Sequence, residues 1–133
     1  MPINFDSALG IHADALRIRT QRAEMLATNL ANADTPNFKA KDMDFQSALQ
    51  MAAAGQKSAA LNMTHQKHIA GNNGNPFEAV TQYRTTMQDS LDGNTVDEQV
   101  EQAQFMQNAV QYQASLEFLG SRFKGLTKAI KGE

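Results

Sequence analysis

His65 and His68 are the residues of this 133-residue chain that come nearest to a metal-ligand pair. Spaced three apart, two imidazoles would project from the same side of a helix, where both could bind one cation. A carboxylate that would complete the ligand set does not stand nearby in the sequence. The glycines and asparagines that follow also disfavour a regular helix. We therefore predict no metal site here and no cofactor for the chain.

The run Asp92-Gly93-Asn94 has the composition of a calcium-binding loop. When Gly93 takes the sixth position of such a loop, Gln99 takes the twelfth, where a carboxylate is required. The run is better explained as a turn before a helix, with Thr95 as N-cap and Glu98 completing a capping box.

Known catalytic motifs are absent from the sequence. It contains no Gly-rich phosphate loop, no His-Glu-x-x-His and no Gly-x-Ser-x-Gly. Because the chain has no cysteine, disulfides, thiolate metal sites and cysteine nucleophiles are excluded. An enzyme is therefore not expected.

Charge and hydropathy argue against two classes of partner. The formal net charge of −2 gives no general attraction to nucleic acid. Lys124, Lys128 and Lys131 are assigned to the end of a helix, where cations complement the helix dipole. No apolar run reaches the ~18 residues that span a bilayer, and the first residues lack the pattern of a secretory signal. The sequence predicts neither nucleic-acid binding nor direct membrane insertion.

An N-terminal helix is predicted from about residue 7 to residue 33, with Asp6 or Ser7 as its N-cap. Apolar residues recur at steps of three, four and seven, which places them on two opposite faces of the helix. The first face carries Leu9, Leu16 and Leu30, and the opposite face carries Ile11, Ile18 and Met25. A surface helix in a monomer needs one such face, so the second face calls for a partner.

A C-terminal helix is predicted from about residue 95 to residue 130, a length of roughly 50 Å. One apolar row follows alternating steps of three and four, the spacing of a left-handed coiled coil. This bulky seam comprises Phe105, Ala109, Tyr112, Leu116, Leu119, Phe123, Leu126 and Ile130. A small-residue row on the opposite face comprises Val96, Val100, Ala103, Val110 and Ala114.

The middle of the chain is less regular. Pro36 ends the first helix, residues 44–54 favour a short helix that stops at Gly55, and residues 71–76 form a loop. Leu61 and Met63 give a weak strand signal.

The sequence therefore predicts an all-α chain in which the long N- and C-terminal helices pair as a coiled-coil-like hairpin. An irregular, loop-rich middle segment with short elements packs along them. The boundaries are 1–33 for the N-terminal helix, 34–94 for the middle segment and 95–133 for the C-terminal helix, all in one structural unit.

Two stretches of the chain resemble the signatures of bacterial flagellar axial proteins, the rod and hook family. Residues 29–39 resemble the N-terminal signature, in which an Asn-x-x-Asn helix end meets Thr-Pro-Gly-Tyr-Lys, and Asn37 stands where the family usually has Gly. Asn is the next most tolerant residue if that position needs a positive φ. Residues 90–97, followed by Glu101, Phe105, Asn108 and Tyr112-Gln113, resemble the C-terminal signature of proximal-rod members. The matching positions are Asn29, Asn32, Thr35, Pro36, Asn37, Phe38, Lys39, Asp92, Gly93, Asn94, Thr95, Val96 and Asp97.

The resemblance implies a structural subunit of the proximal rod of the flagellar basal body, in the periplasmic space. Its implied partners are copies of itself, other proximal-rod proteins, the adaptor between rod and MS ring, the MS-ring protein and the flagellar export gate. Synthesis in the cytoplasm and export through the flagellar type III apparatus would account for the missing secretory signal. No catalytic residue is implied.

Apolar faces left over by the hairpin would be buried by neighbouring subunits of such a rod. The candidate interface residues are Leu9, Ile11, Leu16, Ile18, Met25, Leu30, Phe105, Tyr112, Leu116, Leu119, Phe123, Leu126 and Ile130. Because helices approach closely where residues are small, we expect the small-residue row to face the N-terminal helix and the bulky seam to face other subunits. A generic coiled-coil adaptor would need the heptads without either signature, and a small enzyme or metal-binding domain would need a convergent polar pocket.

Overall fold

The computed structural model describes residues 9–54, 80–86 and 90–132. Within these ranges the elements follow in the order α1 (Ile11–Ala31), β1 (Lys41–Met43), α2 (Phe45–Ala53), β2 (Thr81–Tyr83) and α3 (Glu98–Lys131). The two long helices and the short helix between them are confirmed. The predictions made for Leu61, Met63, His65, His68 and residues 71–76 lie outside the described residues.

Helix α1 begins later than predicted. Its N-cap is Gly10, whose φ of 56° interrupts the helical backbone before Ile11. Glycine adopts this left-handed conformation without the steric penalty of a Cβ atom. The predicted caps Asp6 and Ser7 lie outside the described residues.

Helix α2 has the boundaries that the sequence predicts. The Asp44 carboxylate accepts a hydrogen bond from the backbone N–H of Gln46 at 3.1 Å, which satisfies one of the free donors at the helix start. The helix runs to Ala53, and Ala54 is its C-cap.

A two-stranded antiparallel sheet corrects the all-α prediction. Its register pairs Lys41 with Tyr83, Asp42 with Gln82 and Met43 with Thr81. Strands of three residues are too short to show the alternation by which a strand is recognised in a sequence. Both backbone polar groups of Lys41 bond to the Asn29 side chain, which donates to the carbonyl at 2.7 Å and accepts from the N–H at 3.1 Å.

The middle segment covers one face of α1. Ile18 is fully buried against Met43, Ala48 and Val80, and Met25 packs at the edge of this core. Residues of the same chain therefore cover the second apolar face of α1 at Ile18 and Met25, whereas other subunits were predicted to cover it. Ile18 presents no surface on which a neighbour could pack.

The two long helices lie antiparallel. His12 stacks near Phe118 with ring centroids 6.5 Å apart, Arg19 donates to Gln111 at 2.7 Å, and Asn29 donates to Glu101 at 3.1 Å. The predicted pairing of these helices is thus confirmed in part, since hydrogen bonds between polar side chains run along the contact where the small-residue row was predicted.

The small-residue row does not face α1, which corrects the prediction made for it. Val100, Ala103, Val110 and Ala114 are exposed on α3. The α3 residues that bond to α1 are Glu101, Gln104, Asn108 and Gln111. Buried polar groups need hydrogen-bond partners, and the buried Arg19 and Asn29 of α1 find theirs on this polar side of α3.

Candidate functional site

The two motif segments of the sequence meet in space. The N–H of Asn37 donates to the carbonyl of Asp92 at 2.9 Å, and the N–H of Thr95 donates to the carbonyl of Phe38 at 3.0 Å. Lys39 adds a bond from its Nζ to the carbonyl of Gly93 at 2.6 Å. We call residues 32–40 and 90–97 together the junction. Its contacts join the end of α1 to the start of α3.

Asn94 is the buried centre of the junction. Its Nδ2 donates to the carbonyls of Asn32, Ala33 and Thr35 at 2.9, 2.7 and 2.9 Å, and its Oδ1 accepts from the N–H of Val96 at 2.7 Å. The last carbonyls of a helix lack partners inside that helix. The Asn32 carbonyl belongs to the C-cap of α1, and the other two carbonyls lie beyond it. A side chain that precedes α3 therefore holds the turn that follows α1.

The bend after α1 uses two residues with positive φ. Asn37 has φ 60°, so the position at which the family usually has Gly does adopt a positive φ here. Gly93, which lies opposite Asn37, has φ 74°. A Cβ atom on Gly93 would lie 2.6 Å from the Asn37 Oδ1. The backbone angle therefore favours glycine at position 93, and a Cβ atom there would make the Asn37 side chain shift.

The predicted capping box is wrong. Helix α3 begins at Glu98 with Asp97 as N-cap, whose carboxylate accepts from the N–H groups of Gln99 and Val100 at 3.0 and 3.3 Å. The Thr95 hydroxyl is engaged elsewhere, since it accepts from the N–H of Ala40 at 2.7 Å. Thr95 therefore helps to close the junction instead of capping the helix.

An ionic cluster below the junction was not visible in the sequence. Fully buried Glu101 accepts from Arg84 and from Asn29. Asp42 binds Arg22 through two hydrogen bonds of 2.9 and 3.0 Å and Arg84 at 2.7 Å. The cluster links α1, strand β1, the residue that follows strand β2, and α3. It therefore fixes the middle segment to the helix pair.

The carboxyl group of Asp42 is held ionised by this cluster. Burial alone raises its pKa, but hydrogen bonds from Arg22, from the N–H of Met43 and from Arg84 outweigh burial and lower the pKa below its ordinary value. Asp92 in the junction also has a lowered pKa, chiefly because it accepts a hydrogen bond from the Ser90 hydroxyl.

The bulky seam of α3 runs beside the polar contact line and is largely uncovered. Phe123 is 43% exposed and Ile130 is 86% exposed. Phe105, Leu116 and Leu126 are also exposed, whereas Tyr112 and Leu119 are half-buried. Of the α1 candidates, Ile11 is exposed and Leu9, Leu16, Met25 and Leu30 are half-buried. Large exposed apolar side chains in a row are typical of an interaction surface.

Neither metal binding nor membrane insertion is indicated by the part of the chain that is described. No three His, Asp or Glu side chains there converge as a cation site. None of the described helices combines the length and the hydropathy that crossing a bilayer requires.

Comparisons with known proteins agree with the sequence signatures. A family model described as "Flagella basal body rod protein" matches residues 9–39. The flagellar basal body rod protein FlgB of Aeromonas hydrophila is 50% identical over 134 residues, covering 100% of this chain and 99% of that protein. FlgB of Escherichia coli K12 is 44% identical, covering 95% of this chain and 94% of that protein. FlgB of Cereibacter sphaeroides ATCC 17029 is 43% identical, covering 97% and 98%.

Proposed function

The chain belongs to the FlgB family of flagellar basal body rod proteins, and from this premise we propose that it is a subunit of the proximal rod. Membership makes it a structural component of the basal body rod and not an enzyme. The proposal adds the position in the rod and the manner of assembly. It rests above all on identity to FlgB proteins along nearly the whole chain.

Self-assembly is proposed to use the bulky seam of α3. The seam follows a coiled-coil repeat, yet the contact of α3 with α1 uses the neighbouring polar line. Covering a Leu or Phe side chain is worth about 1.5–3 kcal/mol, so the exposed seam residues would stabilise packing between subunits. Contacts between unlike surfaces of identical copies generate open helical assemblies, which is the geometry that a rod requires.

The partners and location follow from the same proposal. Further copies of the chain, other proximal-rod proteins, the rod–MS-ring adaptor, the MS-ring protein and the export gate would surround the subunit. The protein would reach the periplasmic space through the flagellar type III apparatus. This would make it the segment that connects the membrane ring and export gate to the rest of the drive shaft.

A complementation experiment tests the proposal. A strain without its own copy of the gene receives the wild-type chain, Phe123→Asp or Glu117→Ala, and basal bodies are isolated and assayed for the chain. Glu117 is exposed on α3 and lies off the seam. We expect the wild type and Glu117→Ala to appear in rods and restore swimming, whereas Phe123→Asp places a charge in an apolar contact and prevents assembly. Absence of the wild-type chain from the rod would contradict the proposed function, and normal rods with Phe123→Asp would contradict the role of the seam.

A further inference from the structure

Arg19 is a buried cation without a counter-ion among the described residues. Its side chain lies in the contact between α1 and α3 and the residue is 9% exposed. Nη1 donates to the neutral Gln111 amide at 2.7 Å, and Nε has no hydrogen-bond partner. The guanidinium also lies over the Phe45 ring, 3.9 Å from its centroid. Burial and the nearby Arg22 both lower the pKa of Arg19, as expected for a positive charge that lacks compensation.

The carboxylates of the ionic cluster and of the start of α2 are already engaged. Asp42 is shared by Arg22 and Arg84, and buried Glu101 accepts from Arg84. Asp44 lies at the exposed start of α2, where its oxygens accept from Gln46 and Ser47. Arg22 and Arg84 therefore engage both carboxylates of the ionic cluster, which leaves Arg19 as the unmatched charge.

Arg19 lines an open cleft of about 560 Å³. The other walls are provided by three charged side chains of the ionic cluster, by the Asp44 carboxylate, by two rings and by four amides: Arg22, Asp42, Arg84, Asp44, Phe45, Tyr83, Gln46, Gln82, Gln107 and Gln111. Clefts of this size accommodate small ligands, and amide and guanidinium donors are the groups that bind a carboxylate. Three arginines and two aspartates line the cleft, and Asp42 is already paired with Arg22 and Arg84. The excess positive charge therefore favours an acidic side chain over an apolar one.

A second copy of the chain has suitable carboxylates. The chain has 14 acidic residues against 12 Lys and Arg. Glu24, Asp34 and Glu98 are exposed, and none of them forms an ion pair with another described residue. The charge missing beside Arg19 is thus available on the surface of a neighbour.

We propose that the cleft lined by Arg19 receives an acidic side chain from a neighbouring copy of the chain during rod assembly. This inference rests on the proposed function, because it assigns one contact of the self-association that the rod requires. A buried charge that is unpaired in the single subunit reduces its stability, and pairing in the assembly offsets that cost. Arg19 then serves binding in the assembly and lowers the stability of the free subunit.

The test compares Arg19→Gln, Arg19→Lys and the control Arg17→Gln in two measurements. Arg17 is exposed on the same helix and pairs with Asp14 one turn away. The first measurement is the urea midpoint of each purified full-length chain, followed by circular dichroism. The second is the amount of each variant in basal bodies isolated from a strain that lacks its own copy of the gene.

We expect Arg19→Gln to unfold at the same or a higher urea concentration than the wild type, because it removes an uncompensated buried charge. Its amount in basal bodies should fall by about tenfold or more, since a charge-assisted contact is lost. Arg19→Lys, which keeps the charge without the planar fork, should assemble better than Arg19→Gln. Arg17→Gln should match the wild type in both measurements.

Two results would overturn the inference while leaving the proposed function intact. A lower urea midpoint together with reduced assembly of Arg19→Gln would make Arg19 a residue that supports the fold. Assembly of Arg19→Gln equal to that of Arg17→Gln would show that the cleft is not an interface. A failure of the proposed function is distinguished from both, because it would remove the wild type and Arg17→Gln from the rod as well.

Discussion

Replacing Asn94 by alanine should destabilise the subunit more than any other single amide removal in the junction. The side chain is 5% exposed; its two amide hydrogens lie within bonding distance of three carbonyls in the turn after α1, and its oxygen accepts from the N–H of Val96. Each bond contributes about 0.5–1.5 kcal/mol net, and a buried group left without a partner costs about 1–3 kcal/mol. Because Thr35 is exposed, water can replace the lost bond at its carbonyl. We therefore expect the free energy of unfolding to fall by about 3 kcal/mol.

The assay is urea unfolding of the full-length chain followed by far-ultraviolet circular dichroism. Asn94→Asp is the isosteric comparison, because it keeps the shape but replaces three donor contacts by a negative charge at the negative end of α1. It should be at least as destabilising as Asn94→Ala. Asn32→Ala provides a graded comparison, since its two side-chain bonds lie in exposed positions, and should cost about 1 kcal/mol.

The reasoning would be refuted by an Asn94→Ala variant whose unfolding free energy lies within ~0.5 kcal/mol of the wild type, the range of ordinary surface substitutions. That result would mean that the end of α1 does not depend on the segment before α3. An Asn94→Asp variant more stable than Asn94→Ala would contradict the assigned direction of the three donor contacts.

Three further predictions concern the junction and the ionic cluster, each measured by urea unfolding. Asn37 has φ 60°, so Asn37→Gly should be as stable as the wild type while Asn37→Val should lose about 1–3 kcal/mol; equal stability would remove the argument from φ. Gly93→Ala should be less stable than the wild type, because its Cβ atom would contact the Asn37 side chain. Adding Asn37→Gly should restore part of the lost stability. A double variant as unstable as Gly93→Ala would count against that contact. Because the pKa of Asp42 is lowered in the folded state, its carboxylate stabilises the fold above the unfolded value of about 3.9, and this contribution disappears as the pH falls through the folded-state pKa. Asp42→Asn should therefore show a shallower loss of stability below about pH 4 than the wild type, and parallel curves would exclude this role.

The helices were predictable because their signal is long. Periodic apolar residues identify α1 and α3 over many turns, and the Asp44 cap with the following apolar residues identifies α2. The strands at Lys41 and Thr81 have three residues each and pair across a long interval of sequence, so no local pattern reveals them.

The face by which α3 meets α1 was predicted wrongly because apolar periodicity was taken as the only guide to contact. Glu101, Asn108 and Ser115 also recur at steps of seven, and Glu101 and Asn108 are buried. A repeat of polar residues within a long helix can also indicate a helix contact, because polar side chains are buried only where the opposite helix supplies hydrogen-bond partners.

The junction was half predictable. Both of its segments were identified as motifs, and the tolerance of Asn37 for a positive φ could be argued from its residue type. That Asn94 would hold the turn after α1 depends on contacts between residues 59 to 62 positions apart, and such contacts are set by the tertiary fold. The same reason hid the cluster of Asp42, Arg84 and Glu101.

An image of the assembled basal body that resolves side chains tests the central claim most directly, since it shows what covers the bulky seam of α3 in the rod. Phe105, Leu116, Phe123, Leu126 and Ile130 are at least partly exposed in the single chain. We predict that neighbouring subunits bury these side chains while Glu101, Asn108 and Gln111 keep their contacts with α1 of the same chain. A rod in which the seam faces solvent, or in which the chain is absent, would contradict it.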